Sequence, residues 1–259
     1  MTIIFISLFV GVVGMGLGGL LTVLFGNLSD KMTSIFLSFA GGIMISIVFL
    51  ELIPKAADYS NMGFTVIGLV VGALMVLSLN NMMDKISDTG QTKSKLHETY
   101  AEFFHGSEMI SSKNSMLRSG MIMLFAIALH NIPEGLAMGA ANQHDVTLGL
   151  TLAIIIGLHN IPEGMAVAAP LISGGLSKRK AVTLTLLAGS TTVIGAIAGV
   201  ILGGISDLAI AFSFSIAGGA MLYVVLGEIL PQAIVTNKDR VPIIFSLIGI
   251  VLGMLLTEL

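Results

Sequence analysis

The chain has 259 residues, of which 55% are hydrophobic and only 10% charged, with a mean hydropathy of +0.99. Soluble domains carry about 25% charged residues, so this composition excludes a water-soluble domain and specifies an integral membrane protein with the lipid bilayer as its surroundings. The formal net charge of −3 gives no reason to expect a nucleic-acid partner, and the absence of cysteine removes disulfides, Cys-ligated zinc sites and thiol nucleophiles from consideration.

In chain order, apolar runs long enough to cross a bilayer fall near residues 2–26, 33–55, 62–82, 117–141, 147–171, 180–204, 208–232 and 242–258. The first lacks a basic leader and is too long for a signal-peptide core, so it is read as a span. Lipid leaves no free backbone group satisfied, and no barrel-type alternation is present. The expected fold is an all-α membrane protein, an eight-transmembrane-helix bundle forming a single transmembrane domain over 1–259. The 31 glycines serve close helix packing in the first instance. Between the third and fourth spans, residues 83–116 are polar and of mixed charge, a loop or partly helical linker. Within it "KLHETYAEFFHG" sets His97 and His105 on one helical face. That pattern suits a weak regulatory or metal-capturing site, although charged amphipathic surface helices are the commoner meaning.

The basic residues orient the bundle. Of the 12 Lys and Arg, only Lys55 falls on the side that carries both termini; Lys31, Lys85, Lys93, Lys95, Lys113, Arg118, Lys178, Arg179, Lys180, Lys238 and Arg240 fall on the other. Positive residues stay inside, so the N- and C-termini are expected outside and the 83–116 loop in the cytoplasm.

An internal repeat follows. "SFAGGIMISIVFLELIPKA" at 38–56 overlies "SIAGGAMLYVVLGEILPQA" at 215–233 without a gap, an offset of 177 that also pairs Gly18 with Gly195, Gly26 with Gly203 and Gly72 with Gly249. Spans 1–3 are therefore related to spans 6–8. The two units enter the membrane from opposite sides, giving an inverted repeat of helices 1–3 and 6–8 around central helices 4 and 5, an architecture of transporters. The repeat also pairs Glu51 with Glu228, each three residues before a proline. They are candidates for the entrance and exit of a pathway, against the ordinary alternative of a capping or snorkelling carboxylate at a helix end.

"LHNIPEG" occurs twice, from Leu129 and from Leu158, each time in mid-span. His130 and Glu134 stand four residues apart and share a helical face, as do His159 and Glu163. Antiparallel neighbours would bring His130, Asn131, Glu134, His159, Asn160 and Glu163 to one level near the bilayer centre, where carboxylates are costly unless they pair, line a pathway or bind an ion. Pro133 and Pro162 free the carbonyls of Leu129 and Leu158. Imidazole, carboxylate and amide oxygen together suit borderline divalent cations such as Zn²⁺, Fe²⁺, Co²⁺ or Mn²⁺. From the residues alone a proton relay and a structural polar network stay open, but two copies at matched depth favour metal. Met138, Met165, Met44 and Met221 are read as packing residues.

The paired motif, the eight spans and the cytoplasmic loop resemble the ZIP (Zrt/Irt-like protein) family of divalent-metal transporters over essentially the whole chain. The resemblance implies import of Zn²⁺, with Fe²⁺, Mn²⁺, Co²⁺ or Cd²⁺ as further substrates, into the cytoplasm of a bacterial-type cell by an elevator-like or rocking bundle. It implies metal ligation by His130, Asn131 and Glu134 with His159, Asn160 and Glu163, a cell-membrane location, no cofactor and no enzymatic activity. A homodimer is compatible with it. Many relatives carry Glu-Pro in the sixth span where this chain has Thr192 and Val193, which puts a two-metal centre in doubt. The competing classes are a proton-coupled carrier of a non-metal solute and an intramembrane metalloprotease. The latter lacks its H-E-x-x-H pattern here.

Overall fold

The computed structural model describes residues 2–25, 29–87, 113–202 and 206–257, and among them every regular element is helical. The spans are α1 (Thr2–Leu24), α2 (Asp30–Asp58), α3 (Met62–Ser87), α4 (Lys113–His144), α5 (Val146–Ser173), α6 (Lys178–Ser190, resumed as Thr192–Leu202), α7 (Asp207–Thr236) and α8 (Val241–Thr257). The first seven are long and apolar enough to cross a membrane, and α8 is apolar over 17 residues, about 25 Å of helix. α3 runs on to Ser87 and α4 begins at Lys113, so both ends of the 83–116 segment are helical rather than loop; His97 and His105 lie outside the described residues. α6 is interrupted at Thr191, whose hydroxyl donates to the carbonyl oxygens of Ala188 and, across the helix pair, Ala128.

The inverted repeat is present in three dimensions. Asp30–Ile47 and the π-helical turn Val48–Leu52 recur 177 residues on as Asp207–Val224 and the π-helical turn Val225–Ile229. Ser29 caps the first unit by accepting from the Met32 amide, and its repeat mate Ser206 caps the second by accepting from the Ala209 amide. The π-turns were not expected from sequence. In each, a backbone amide reaches five residues back, Ile53 N–H to Val48 O and Leu230 N–H to Val225 O. Pro54 and Pro231 follow at once and have no N–H to continue the ordinary ladder, which favours the wider turn. The inserted residue rotates the helix face, and both turns carry a buried glutamate, Glu51 and Glu228.

Glycines fix which helices pair. A Cβ on Gly18 of α1 would collide with the Ile161 carbonyl of α5, and one on Gly195 of α6 with the Ile132 carbonyl of α4. These are equivalent points of the two LHNIPEG motifs. In the same way Gly42 of α2 lies on the Ser246 carbonyl of α8, and Gly219 of α7 on the Leu69 carbonyl of α3. Such contacts let backbones approach closely, which is how helices gain packing energy in lipid. They tie α1, α4, α5 and α6 into one bundle and pair α2 with α8 and α3 with α7; side-chain packing of α2 on α7, such as Leu230 over Gly41 and Val48 over Gly218, joins these pairs into a second. Among the described residues, every backbone contact that a glycine makes with another helix stays inside one bundle. Where the bundles meet, α2 against α5 and α4 against α7, contact is through side chains such as Thr33 with Ser173 and Gln232 with Met116. The outward faces of α3 and α8 are apolar and uncovered, as expected of helices against lipid; Ile67 and Leu255 are each 61% exposed.

Candidate metal centre

A single residue, Asp145, separates α4 from α5, and its carboxylate accepts from the Thr147 amide at 2.7 Å to start the second helix. His130 precedes this turn by 15 residues and His159 follows it by 14, so at about 1.5 Å per residue the two imidazoles stand at the same level. Glu134 is then one turn nearer the Asp145 connection and Glu163 one turn farther away. The side chains pair diagonally across the two helices in consequence. His130 Nε2 lies 3.1 Å from Glu163 Oε1, and His159 Nε2 lies 3.2 Å from Glu134 Oε1. The contact within a helix is looser, with His130 Nε2 3.9 Å from Glu134 Oε1. The shared face expected from the four-residue spacing is therefore real, but the nearest partner of each histidine is the glutamate of the other helix.

One ligand atom from each of His130, Glu134 and Glu163 falls within 4.8 Å of the others, the separation from which a cation can gather three donors. All six motif residues are buried, none more than 1% exposed. Most of their polar atoms have no partner. Glu134 Oε1 and His159 Nε2 are 3.2 Å apart but not aligned for a hydrogen bond, and Glu134 Oε2, Glu163 Oε2, Nδ1 of each histidine, Asn131 Oδ1 and both amide atoms of Asn160 have no hydrogen-bond partner either. Buried polar groups ordinarily find partners, and leaving one unmade costs about 1–3 kcal/mol. A cluster of acceptors unsatisfied together is what a cation would complete. Asn131 is already turned for that purpose, since its Nδ2 donates to Ala188 O at 3.2 Å and leaves Oδ1 as the open acceptor. Two carboxylates against one divalent ion give a neutral centre, the arrangement that a low-dielectric interior tolerates best.

Thr192 resumes α6 beside this cluster; it is fully buried with an unpartnered hydroxyl, and its carbonyl lies against Gly135 of the first motif. Met138 and Met165 are buried among the helices, and Met44 and Met221 sit in the core of the other bundle.

Glu51 and Glu228 lie outside the six-residue cluster, at opposite ends of the bundle by the chain's alternation. Glu51 is 6% exposed and accepts from Lys55 Nζ at 2.8 Å. Glu228 is equally buried; it accepts from Asn80 Nδ2 at 2.9 Å and lies within electrostatic reach of Arg118. Neither is a solvated helix-end carboxylate. Asn80 and Lys55 were not picked out from sequence as partners of these glutamates, although an amide within the apolar third span, and a lysine one turn beyond a glutamate, are both visible there.

The whole sequence, residues 1–259, matches the family described as ZIP Zinc transporter. The chain is 34% identical over 228 residues to the zinc transporter ZupT of Chlorobaculum parvum, covering 84% of this chain and 82% of that protein. It is 33% identical over 251 residues to the ZupT of Campylobacter jejuni, covering 88% and 85%, and 32% identical over 257 residues to that of Corynebacterium glutamicum, covering 96% and 94%. With an eight-helix bundle, a duplicated HNIPEG motif and a match from end to end, the chain belongs to the ZIP zinc transporter family.

Proposed function

We propose that this protein carries divalent transition-metal ions across the membrane, Zn²⁺ foremost and Fe²⁺, Mn²⁺, Co²⁺ and Cd²⁺ as further candidates, through a site formed by His130, Asn131, Glu134, His159, Asn160 and Glu163. The observation that carries the reading is the convergence of His130, Glu134 and Glu163 in a fully buried, under-satisfied cluster. The relatives' description as zinc transporters supports zinc as the first substrate to test. A neutral imidazole and two carboxylates present borderline-to-hard donors, and the amide oxygens of Asn131 and Asn160 extend the set without adding charge. The single charge-balanced cluster, with Thr192 beside it, favours one ion per chain.

Transport follows from the two bundles. The site rides entirely on α4 and α5, inside a bundle locked by glycine-to-backbone contacts, and it meets the other bundle at α2 and α7. Displacement of one rigid bundle against the other would expose the ion first to one side and then to the other. The distribution of Lys and Arg supports an orientation with both termini outside. Glu51 then stands at the outer mouth and Glu228 at the cytoplasmic mouth, and metal runs inward. Because histidine binds metal only as the neutral ring, loading must release any proton held there.

The test is zinc uptake into proteoliposomes loaded with a zinc-responsive dye, comparing wild type with His159→Ala and Glu134→Ala. Saturable uptake that collapses in both folded variants supports the reading. Failure of zinc, Fe²⁺, Mn²⁺, Co²⁺ and Cd²⁺ alike to enter in the wild type would discard it.

A further inference from the structure

By the alternation of the spans Lys55 falls on the side expected to carry the termini, yet its ammonium is not left to solvent. It donates to Glu51 Oε1 at 2.8 Å, with the lysine side chain 27% exposed and the glutamate 6%. The other carboxylate oxygen, Glu51 Oε2, is buried with no partner at all. A carboxylate withdrawn from water in this way is half satisfied, by a cation that is flexible and still reaches solvent. The π-turn of α2 carries Glu51, which is buried and within electrostatic reach of His159. A small void of about 10 Å³ is lined by Ile47, one turn of α2 before Glu51, together with Ile155, Leu158, His159, Leu256 and Thr257.

We propose that Lys55 is a tethered stand-in cation. Its ammonium occupies Glu51 when no metal is there, and an incoming divalent ion exchanges with it, so that Lys55 decides which cations the mouth admits. The inference rests on the transport reading above. Its physical basis is competition for one negative charge. A monovalent cation offers Glu51 no more attraction than the ammonium already does, and it must also overcome the high local concentration that the four-residue tether gives the lysine. A divalent ion has twice the attraction and can take both oxygens, including the unpartnered Oε2. The released ammonium has a destination, because Asp58 follows Lys55 by three residues on the same helical face and is exposed. Asp58 and Asp207 converge on Tyr59 at this mouth, where burial first and then the two carboxylates push the phenol above its usual range. The surroundings therefore draw cations in, and Lys55 is the built-in charge among the described residues of this mouth that opposes a weak one.

The experiment measures zinc uptake by the full-length protein in proteoliposomes as a function of zinc concentration, with and without about 100 mM external Na⁺, a level at which surface charge is largely screened. Wild type is compared with Lys55→Gln, Lys55→Arg and the double variant Glu51→Gln/Lys55→Gln. Lys55→Gln is expected to lower the KM for zinc about tenfold, the scale of one removed competing charge, and to make uptake competitively sensitive to Na⁺. Lys55→Arg keeps the counter-ion and should retain the wild-type indifference to Na⁺. The double variant should lose both the lowered KM and the Na⁺ sensitivity, since the carboxylate contested is gone. A KM and Na⁺ response in Lys55→Gln within twofold of wild type overturns the proposal while transport itself stands, as does an equal Na⁺ response in the double variant. Wild-type protein that takes up no divalent ion overturns both.

Discussion

Glu134 is the carboxylate between the two histidines, 3.2 Å from His159 Nε2 and 3.9 Å from His130 Nε2, and Glu134→Gln keeps its size while removing its charge. With zinc bound, wild type has two carboxylates against one dication and is neutral; the variant buries a net positive charge. Unit charges about 4 Å apart interact by about 4 kcal/mol at an effective dielectric constant near 20, which bounds the gross loss from below for a dication. The amide oxygen that replaces the carboxylate still ligates, and its lower desolvation cost returns part of that. A net loss of about 3 kcal/mol remains, which is about a hundredfold in Kd. The assay is zinc affinity of the purified protein by competition with a chromophoric chelator, with the melting temperature of the metal-free variant recorded alongside. Glu163→Gln should lose a similar factor through its 3.1 Å partner His130. The double variant should lose less than the sum, because both act on one ion. Zinc binding by Glu134→Gln within about threefold of wild type, in a folded protein, would refute the assignment of this carboxylate to the ion.

Three further outcomes follow from the same structure. Gly195→Val should cost about 1–3 kcal/mol of stability or more, because its side chain meets the Ile132 carbonyl rather than a movable side chain; thermal unfolding in detergent measures it, and Gly18→Val should behave alike against Ile161. Metal affinity should fall as pH falls, since a histidine must give up any proton it holds to offer a lone pair; chelator competition at several pH values reads this, and pH-independent binding would contradict it. Asn80→Leu should leave the Glu228 carboxylate without its amide donor, at a cost of about 1–3 kcal/mol in stability, and slow uptake at saturating zinc. Restoration of both by Asn80→Gln would locate the effect in the hydrogen bond.

Much of this protein is determined by its sequence alone, because lipid permits so few solutions. A backbone that cannot bond to its solvent must be helical, so apolar length sets the spans, and the observed helix ends fall within a few residues of the expected ones. The duplicated LHNIPEG and the 177-residue offset were likewise readable, since symmetry leaves identical letters at fixed spacing. The tertiary structure decided what linear spacing cannot express. Four-residue spacing placed His130 over Glu134, but the antiparallel meeting of α4 and α5 about Asp145 shifts the helices so that His130 takes Glu163 and His159 takes Glu134. Two glutamates that read equally well as helix-end carboxylates became buried groups because π-turns before Pro54 and Pro231 rotate them inward, a choice between backbone ladders that differ little in local energy. Which glycines join which helices, and so where one bundle ends and the other begins, is also settled only by packing. The spacing of small residues makes close approach available, and the partner that arrives selects among the faces.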